Sequence, residues 1–441
     1  MNITLEAILA KLPIGKLLET IETHVEPFLE LMPDKRLRVV GVQMVLGILG
    51  SQTPVITEMA GSNSKREGST WALAKRIYRL VHNRRVKTDD FYEGLYLSGQ
   101  QSVTSEAPEY LVVAVDPVNF EKPYAEAIEG VSTVYKATPP DLAGKPRLAH
   151  GYPSITATVV NTKVPVTTYA NWFSYETADF VSQNREIEHC FENTCRLYPQ
   201  QRIRFVGDSG LDDQKMFARV GQLDREFVFR ACHLERIVEV YNERLHRWET
   251  ERLQDLTATV PYQATFQVTF THAGQTHKDI IQLGWFKIRI PGTLKELWVL
   301  VADDQTIPRQ LVLITNVPLL SVEIVQQVYE DWRLRSRIEH GYRFDQEQGL
   351  DVEDMRVHTL DCMRRVFAIV LLAAQIVFVI DNQWPEKAVE WLRVLGGKLE
   401  LSSDRDGPYW LLQGIAAVIV SAMTFSFAFL RPFPFQEFSC G

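Results

Sequence analysis

Two stretches decide how this chain is read: Glu109–Asp116, EYLVVAVD, and Arg202–Asp208, RIRFVGD. Each is a short, almost unbroken apolar run, rich in β-branched residues, that ends in an aspartate. Continuous apolarity over this length fits a strand buried on both faces, as in the middle of an α/β sheet. A carboxylate at the end of such a strand is poorly solvated and needs a metal ion or an arginine as partner. Strand ends are also where α/β sheets bind ligands. Taken alone, either aspartate is better explained by a strand-terminating turn, as in GDSG.

Outward from these runs the pattern is mixed. Ser154–Asn161 (SITATVVN) and Val164–Phe173 (VPVTTYANWF) read as strands, and Tyr175–Cys195 reads as a helix. Leu211–Gln222 reads as a further helix and Glu226–Cys232 (EFVFRAC) as a strand. The order predicts an α/β fold with a mixed sheet covered by helices. Four β-rich runs between Ala264 and Asn316 interrupt it and predict a separate antiparallel sheet. After them, Ser321 is placed to cap one long helix running to Phe344.

That helix carries the most charged segment, Trp332–Leu350, WRLRSRIEHGYRFDQEQGL. Residues three, four or seven apart share a helix face, so Trp332, Arg335, Glu339 and Arg343 form one stripe. Ordinary helix salt bridging produces such a stripe as well, at a few tenths of a kcal/mol per pair.

Strand order and stripe together resemble the ribonuclease-H-like catalytic domain of IS4-type DDE transposases. The signature of that family, Tyr-x2-Arg-x3-Glu-x6-Lys, is similar to Trp332-x2-Arg335-x3-Glu339-x6-Gln346, with tryptophan for tyrosine and glutamine for lysine. A β-rich insertion before the glutamate is also a family feature. The resemblance covers most of residues 40–380 and implies a catalytic trio, Asp116, Asp208 and Glu339. It implies two Mg²⁺ or Mn²⁺ ions on that trio, with Asp116 serving both. Oxygen-only ligands suit such hard cations. Where the family has Asp-x-Thr and a downstream lysine, this chain has DPVNFEK, and Lys122 stands in for that lysine. By the same resemblance Arg335, Arg343 and Trp332 face DNA, and Trp285 and Trp298 of the insertion are candidates to stack on a flipped base. Tryptophans in β-rich text serve equally as core.

The N-terminal region is helical in pattern. Between Lys65 and Lys87 it carries Lys65, Arg66, Lys75, Arg76, Arg79, Arg84, Arg85 and Lys87 against a single acid, Glu67. A solvated helix face and a phosphate-binding face are both open readings; Lys75, Arg76, Arg79, Arg84 and Arg85 are the DNA-binding candidates. The chain as a whole is acidic, net −8, so basicity is local. The predicted organisation is a helical DNA-binding domain (1–105), the ribonuclease-H-like domain in two parts (106–235 and 321–384), the insertion (236–320) and a C-terminal helical region (385–441).

Five cysteines without a Cys-x-x-Cys pair argue against a zinc site or a disulfide framework and suit a reducing cytosol. The apolar runs Val366–Ile380 and Gly414–Leu430 read as buried helices rather than spans, since spans need about 20 apolar residues. The expectations are therefore a bacterial cytoplasmic enzyme with no membrane partner, acting on double-stranded transposon ends and target DNA, homodimeric when two ends are synapsed. A nuclease of the same fold without strand transfer, and an inactive DNA-binding protein, remain open alternatives.

Overall fold

A computed structural model describes residues 14–63, 69–122, 127–136, 138, 145–242, 244–272, 275–292, 295–303, 310–346, 349–398 and 407–429. The basic residues Lys65 and Arg66 and the side chains of Arg343 and Gln346 lie outside the described set.

Five helices come first: α1 (Ile14–Glu30), α2 (Lys35–Ser51), α3 (Ile56–Asn63), α4 (Thr70–Val81) and α5 (Thr88–Glu106). Asp34 and Ser69 cap α2 and α4 by accepting from Leu37 N and Ala72 N, satisfying amides that the helices leave open. The mixed part follows with β1 (Leu111–Glu121), β2 (Ser132–Tyr135), β3 (Leu148–Val159), β4 (Val166–Trp172), α6 (Gln183–Leu197), β5 (Ile203–Gly207), α7 (Gln214–Gln222) and β6 (Glu226–Arg230). β1, β5 and β6 are parallel neighbours. β3 is antiparallel to β1, and both β2 and β4 pair antiparallel with β3. The sheet is thus mixed, as the sequence predicts.

The insertion contains β7 (Ile237–Asn242), β8 (Arg247–Arg252), α8 (Leu253–Thr259), β9 (Ala264–His272), β10 (Gln275–Arg289), β11 (Glu296–Asp303) and β12 (Leu311–Thr315). Its strands do not form a separate sheet. β12 pairs antiparallel with β6 through Leu313–Arg230, Ile314–Phe229 and Thr315–Val228, so one twelve-stranded sheet runs through both parts. The edge of β6 would otherwise leave a row of backbone groups unpaired, and β12 covers it.

α9 (Val322–Arg333) and α10 (Ser336–Gln346) follow, then α11 (Leu360–Gln383), α12 (Glu386–Leu395) and α13 (Pro408–Phe429). Ser321 does cap the helix, accepting from Ile324 N. The predicted single helix to Phe344 is broken at Leu334–Arg335. There the backbone tightens, with Arg337 N donating to Leu334 O and Ile338 N to Arg335 O, and the Ser336 hydroxyl takes Arg333 O at 3.1 Å. Serine hydroxyls compete with the helical ladder in this way.

Two apolar layers sandwich the central strands. Leu111, Val113 and Val115 of β1 join Ile203 and Phe205 of β5 in the larger cluster, with α11 and the N-terminal helices. Val112, Ala114 and Val206 face the opposite way, under Val325, Val328, Tyr329 and Trp332 of α9 and Ile338 and Tyr342 of α10. α11 is the one described helix long and apolar enough by itself to cross a membrane, and 89% of its most apolar window is buried inside the protein. The arginines at its start are used internally. Buried Arg365 donates to Val81 O, Asn83 O and Thr88 Oγ1, and Arg364 Nε donates to Trp172 O at 2.5 Å.

Candidate active site

Parallel pairing puts Val115 opposite Gly207, so the next residues, Asp116 in the middle of β1 and Asp208 just past the end of β5, stand side by side where the β1–β5 ladder stops. Alternation along each strand turns both toward the α9–α10 layer, because Ala114 and Val206 two residues earlier belong to that cluster. Asp208 opens a 3-10 turn and accepts from Gly210 N at 2.8 Å. Gly207 leaves no room for a side chain: a Cβ there would lie 2.0 Å from Leu211 Cδ1.

α10 brings the third acid. Tyr342 Oη donates to Asp116 O at 3.1 Å, Trp332 Nε1 donates to Gly207 O at 3.0 Å, and Arg337 reaches the carbonyls of Val160, Thr162 and Lys163. These bonds pin the helix break above the middle of β1 and the end of β5. Arg335 then spans two of the acids, with Nη2 2.6 Å from Glu339 Oε1 and Nη1 3.8 Å from Asp116 Oδ1. One guanidinium and its two contacts are all that separate those carboxylates.

The electrostatics are unbalanced. Burial, and then the charge of Asp208, push the Asp116 carboxyl up to about 7; Arg335 opposes this and Glu339 adds to it. Like charges in a poorly solvated site have this effect, and a cation among them reverses it. The donor set is all oxygen, which fits hard divalent cations. The site's excess negative charge fits them as well.

The other predicted residues divide. Lys122 is a correction: it is buried, its ammonium donates to the Glu353 carbonyl and lies 3.4–3.5 Å from the carbonyls of Met355 and Val352, and burial lowers its pKa to about 8. It ties the end of β1 to a 3-10 turn rather than facing DNA. Trp332 is a second correction, since its indole is buried and held by Gly207 O. Trp285 and Trp298 are half-buried against the α9–α10 layer, and Lys287 Nζ lies 5.5 Å from the Trp298 ring centroid.

Lys75, Arg79, Arg84 and Arg85 are exposed and Arg76 partly so; Arg85 pairs with Asp34 at 2.7 Å. The apolar side of α4 packs into the cluster on the far face of the sheet, so the structure does not bring this patch to the acids. Sequence reasoning missed Trp71, which is 57% exposed one turn before Lys75, with the ammonium 5.5 Å from its ring centroid. A tryptophan on the polar side of an amphipathic helix was the available signal.

Elsewhere Asp212, Cys232 and His233 bring ligand-type atoms within 4.8 Å of one another. Asp212 Oδ2 accepts from the Cys232 and His233 amides there, and its Oδ1 is in ion-pair contact with Arg236 at 2.7 Å. Asp213 caps α7, so both acids have structural work, as their position at a helix start predicts. Compared with protein-family models the chain matches none, and no curated protein matches it.

Proposed function

We propose that this chain is a DDE-type DNA transposase of the IS4 kind, built on a ribonuclease-H-like sheet. One observation carries the reading: Asp116 and Asp208, far apart in sequence, stand side by side where the β1–β5 ladder stops, and Arg335 links Asp116 to Glu339 of α10. The strand order β4-β3-β1-β5-β6, antiparallel on one side of β1 and parallel on the other, supports the fold part of the reading. So does the position of the insertion between β6 and α9.

Asp116, Asp208 and Glu339 would hold two Mg²⁺ or Mn²⁺ ions. When bound, such a pair supplies activation of an oxygen nucleophile and stabilisation of the leaving oxygen in displacement at phosphorus. The chain's own residues do the rest. Tyr342 and Trp332 fix α10 against the strand ends. Arg335 bridges Asp116 and Glu339, and its planar fork suits it to grip a phosphate at the site. Trp71, Lys75, Arg79 and Arg84 offer an outer surface to the DNA backbone, so binding should weaken steeply with salt. The substrates are double-stranded transposon ends and target DNA, the synaptic assembly is a homodimer, and the setting is the bacterial cytoplasm, on the nucleoid when bound to DNA. Trp285 or Trp298 stacking on a flipped base would contribute about 1–3 kcal/mol.

The test uses the full chain, Mg²⁺ and linear DNA carrying the sequences that flank its own gene. Nicks at the ends followed by joined products are expected. Nicking without joining, even from pre-cut ends, would reassign the protein as a nuclease. No metal-dependent nicking at all would leave a DNA-binding protein.

A further inference from the structure

Behind the acids, between β3, β4, α10 and α11, lies a cavity of about 40 Å³. That is room for one water-sized occupant. Its polar wall comes from Thr156, Thr158, Thr167, Asp345 and Gln375. Asp345 is buried and its Oδ1 meets no hydrogen-bond partner. Gln375 is buried as well; its Nε2 donates to Ser98 Oγ at 3.1 Å, which leaves Oε1 without a partner.

An ionised carboxylate in such a place is strongly unfavourable unless a positive charge meets it. Arg337 also lines the cavity, but its guanidinium is engaged by the carbonyls of Val160, Thr162 and Lys163. What remains is one carboxylate, one amide oxygen and threonine hydroxyls. These are hard oxygen ligands carrying a single negative charge. A divalent ion would draw on more carboxylates, and a softer metal on nitrogen or sulfur.

We propose that this cavity binds a monovalent alkali cation, Na⁺ or K⁺, through Asp345, Gln375 and the threonine hydroxyls. The site abuts the acid cluster. Thr156 is the register partner of Asp116, and Tyr342, three residues before Asp345, donates to Asp116 O. An ion there fastens α10, and with it Glu339, to β3 and α11.

The test needs no DNA and stands apart from the transposase reading. Thermal unfolding of the full chain is followed in EDTA at fixed pH and ionic strength, in NaCl, KCl or tetramethylammonium chloride. The midpoint should rise by a few degrees and saturate with Na⁺ or K⁺ relative to tetramethylammonium, and the rise should vanish in Asp345→Asn. Equal midpoints in the three salts, or the same rise in Asp345→Asn, would overturn the proposal in favour of a protonated Asp345 beside water. If that variant does not fold, crystals of the wild-type chain soaked in thallium(I) decide. An anomalous peak in the cavity supports the site, and an empty cavity overturns it.

Discussion

Two aspartates, Asp331 buried and Asp116 half-buried, share the layer between the sheet and α9–α10, and they differ in how they are partnered. Asp331 on α9 is fully answered: Arg204 of β5 pairs with it, and Tyr110 Oη and Gln327 Nε2 donate to it, each at 2.9 Å. Arg204 in turn reaches Glu226 at 2.8 Å. Asp116 has only Arg335, at 3.8 Å, and Asp208 repels it from the neighbouring strand end. A satisfied buried network fixes one arrangement of α9 on the sheet. An under-satisfied carboxylate a short distance away keeps its charge available for something the protein does not itself supply. Perturbed carboxyls of this kind concentrate at functional sites.

The sharpest way to separate the two is activity. Asp116→Asn and Asp208→Asn are each expected to lower nicking by more than the roughly 10–100-fold that follows loss of an outer metal-site partner. DNA retention in a gel-shift assay should stay near wild type. A fully active Asp208→Asn would strike that residue from the site.

Breaking the other member of the comparison should cost stability instead. Asp331→Ala leaves buried Arg204 with Glu226 as its remaining acidic partner, so the cost should approach but not exceed the roughly 3–5 kcal/mol of a fully broken buried pair. Urea unfolding of the variant measures it. An unfolding midpoint equal to wild type would show that the network adds nothing to stability.

The titration of Asp116 gives the third test. Its folded pKa, about 7, lies above the ordinary aspartate value of 3.8, so the folded state binds the proton more tightly than the unfolded chain. That stabilisation is fully present below about pH 4 and is lost as pH rises through 7, a change of up to roughly 4 kcal/mol. The stability of the metal-free protein should therefore fall across this window, and Asp116→Asn should flatten the slope. Mg²⁺ added at pH 8 should restore stability to wild type but not to Asp116→Asn.

The strands that carry Asp116 and Asp208 were legible because buried parallel strands read as apolar runs, and a polar end to such a run stands out. The turn of both acids to one face follows from strand periodicity alone. Three things were not legible. The junction of β12 with β6 depends on which sheet edge a distant strand finds, and 80 or so residues of intervening chain conceal it. The break at Leu334–Arg335 arises from tertiary pulls on Trp332 and local bonding by Ser336, while the local pattern favours a continuous helix. The burial of Lys122 was hidden because a lysine stem and three carbonyls have no sequence pattern.

Glu339 supplies the smallest and most discriminating effect. Its carboxylate is less buried than that of Asp116, and it pairs with Arg335, one helical turn away. Pairs of this spacing on a helix surface contribute about 0.2–0.5 kcal/mol. Glu339→Gln should therefore unfold within that margin of wild type. If the glutamate is a ligand, nicking should nevertheless be lost, because glutamine keeps the shape and removes the charge that a divalent ion requires. Near-normal stability with no nicking would set Glu339 beside Asp116 as a residue kept for chemistry. Near-normal stability with full nicking would leave the Arg335–Glu339 pair as an ordinary helix salt bridge and reduce the site to two aspartates.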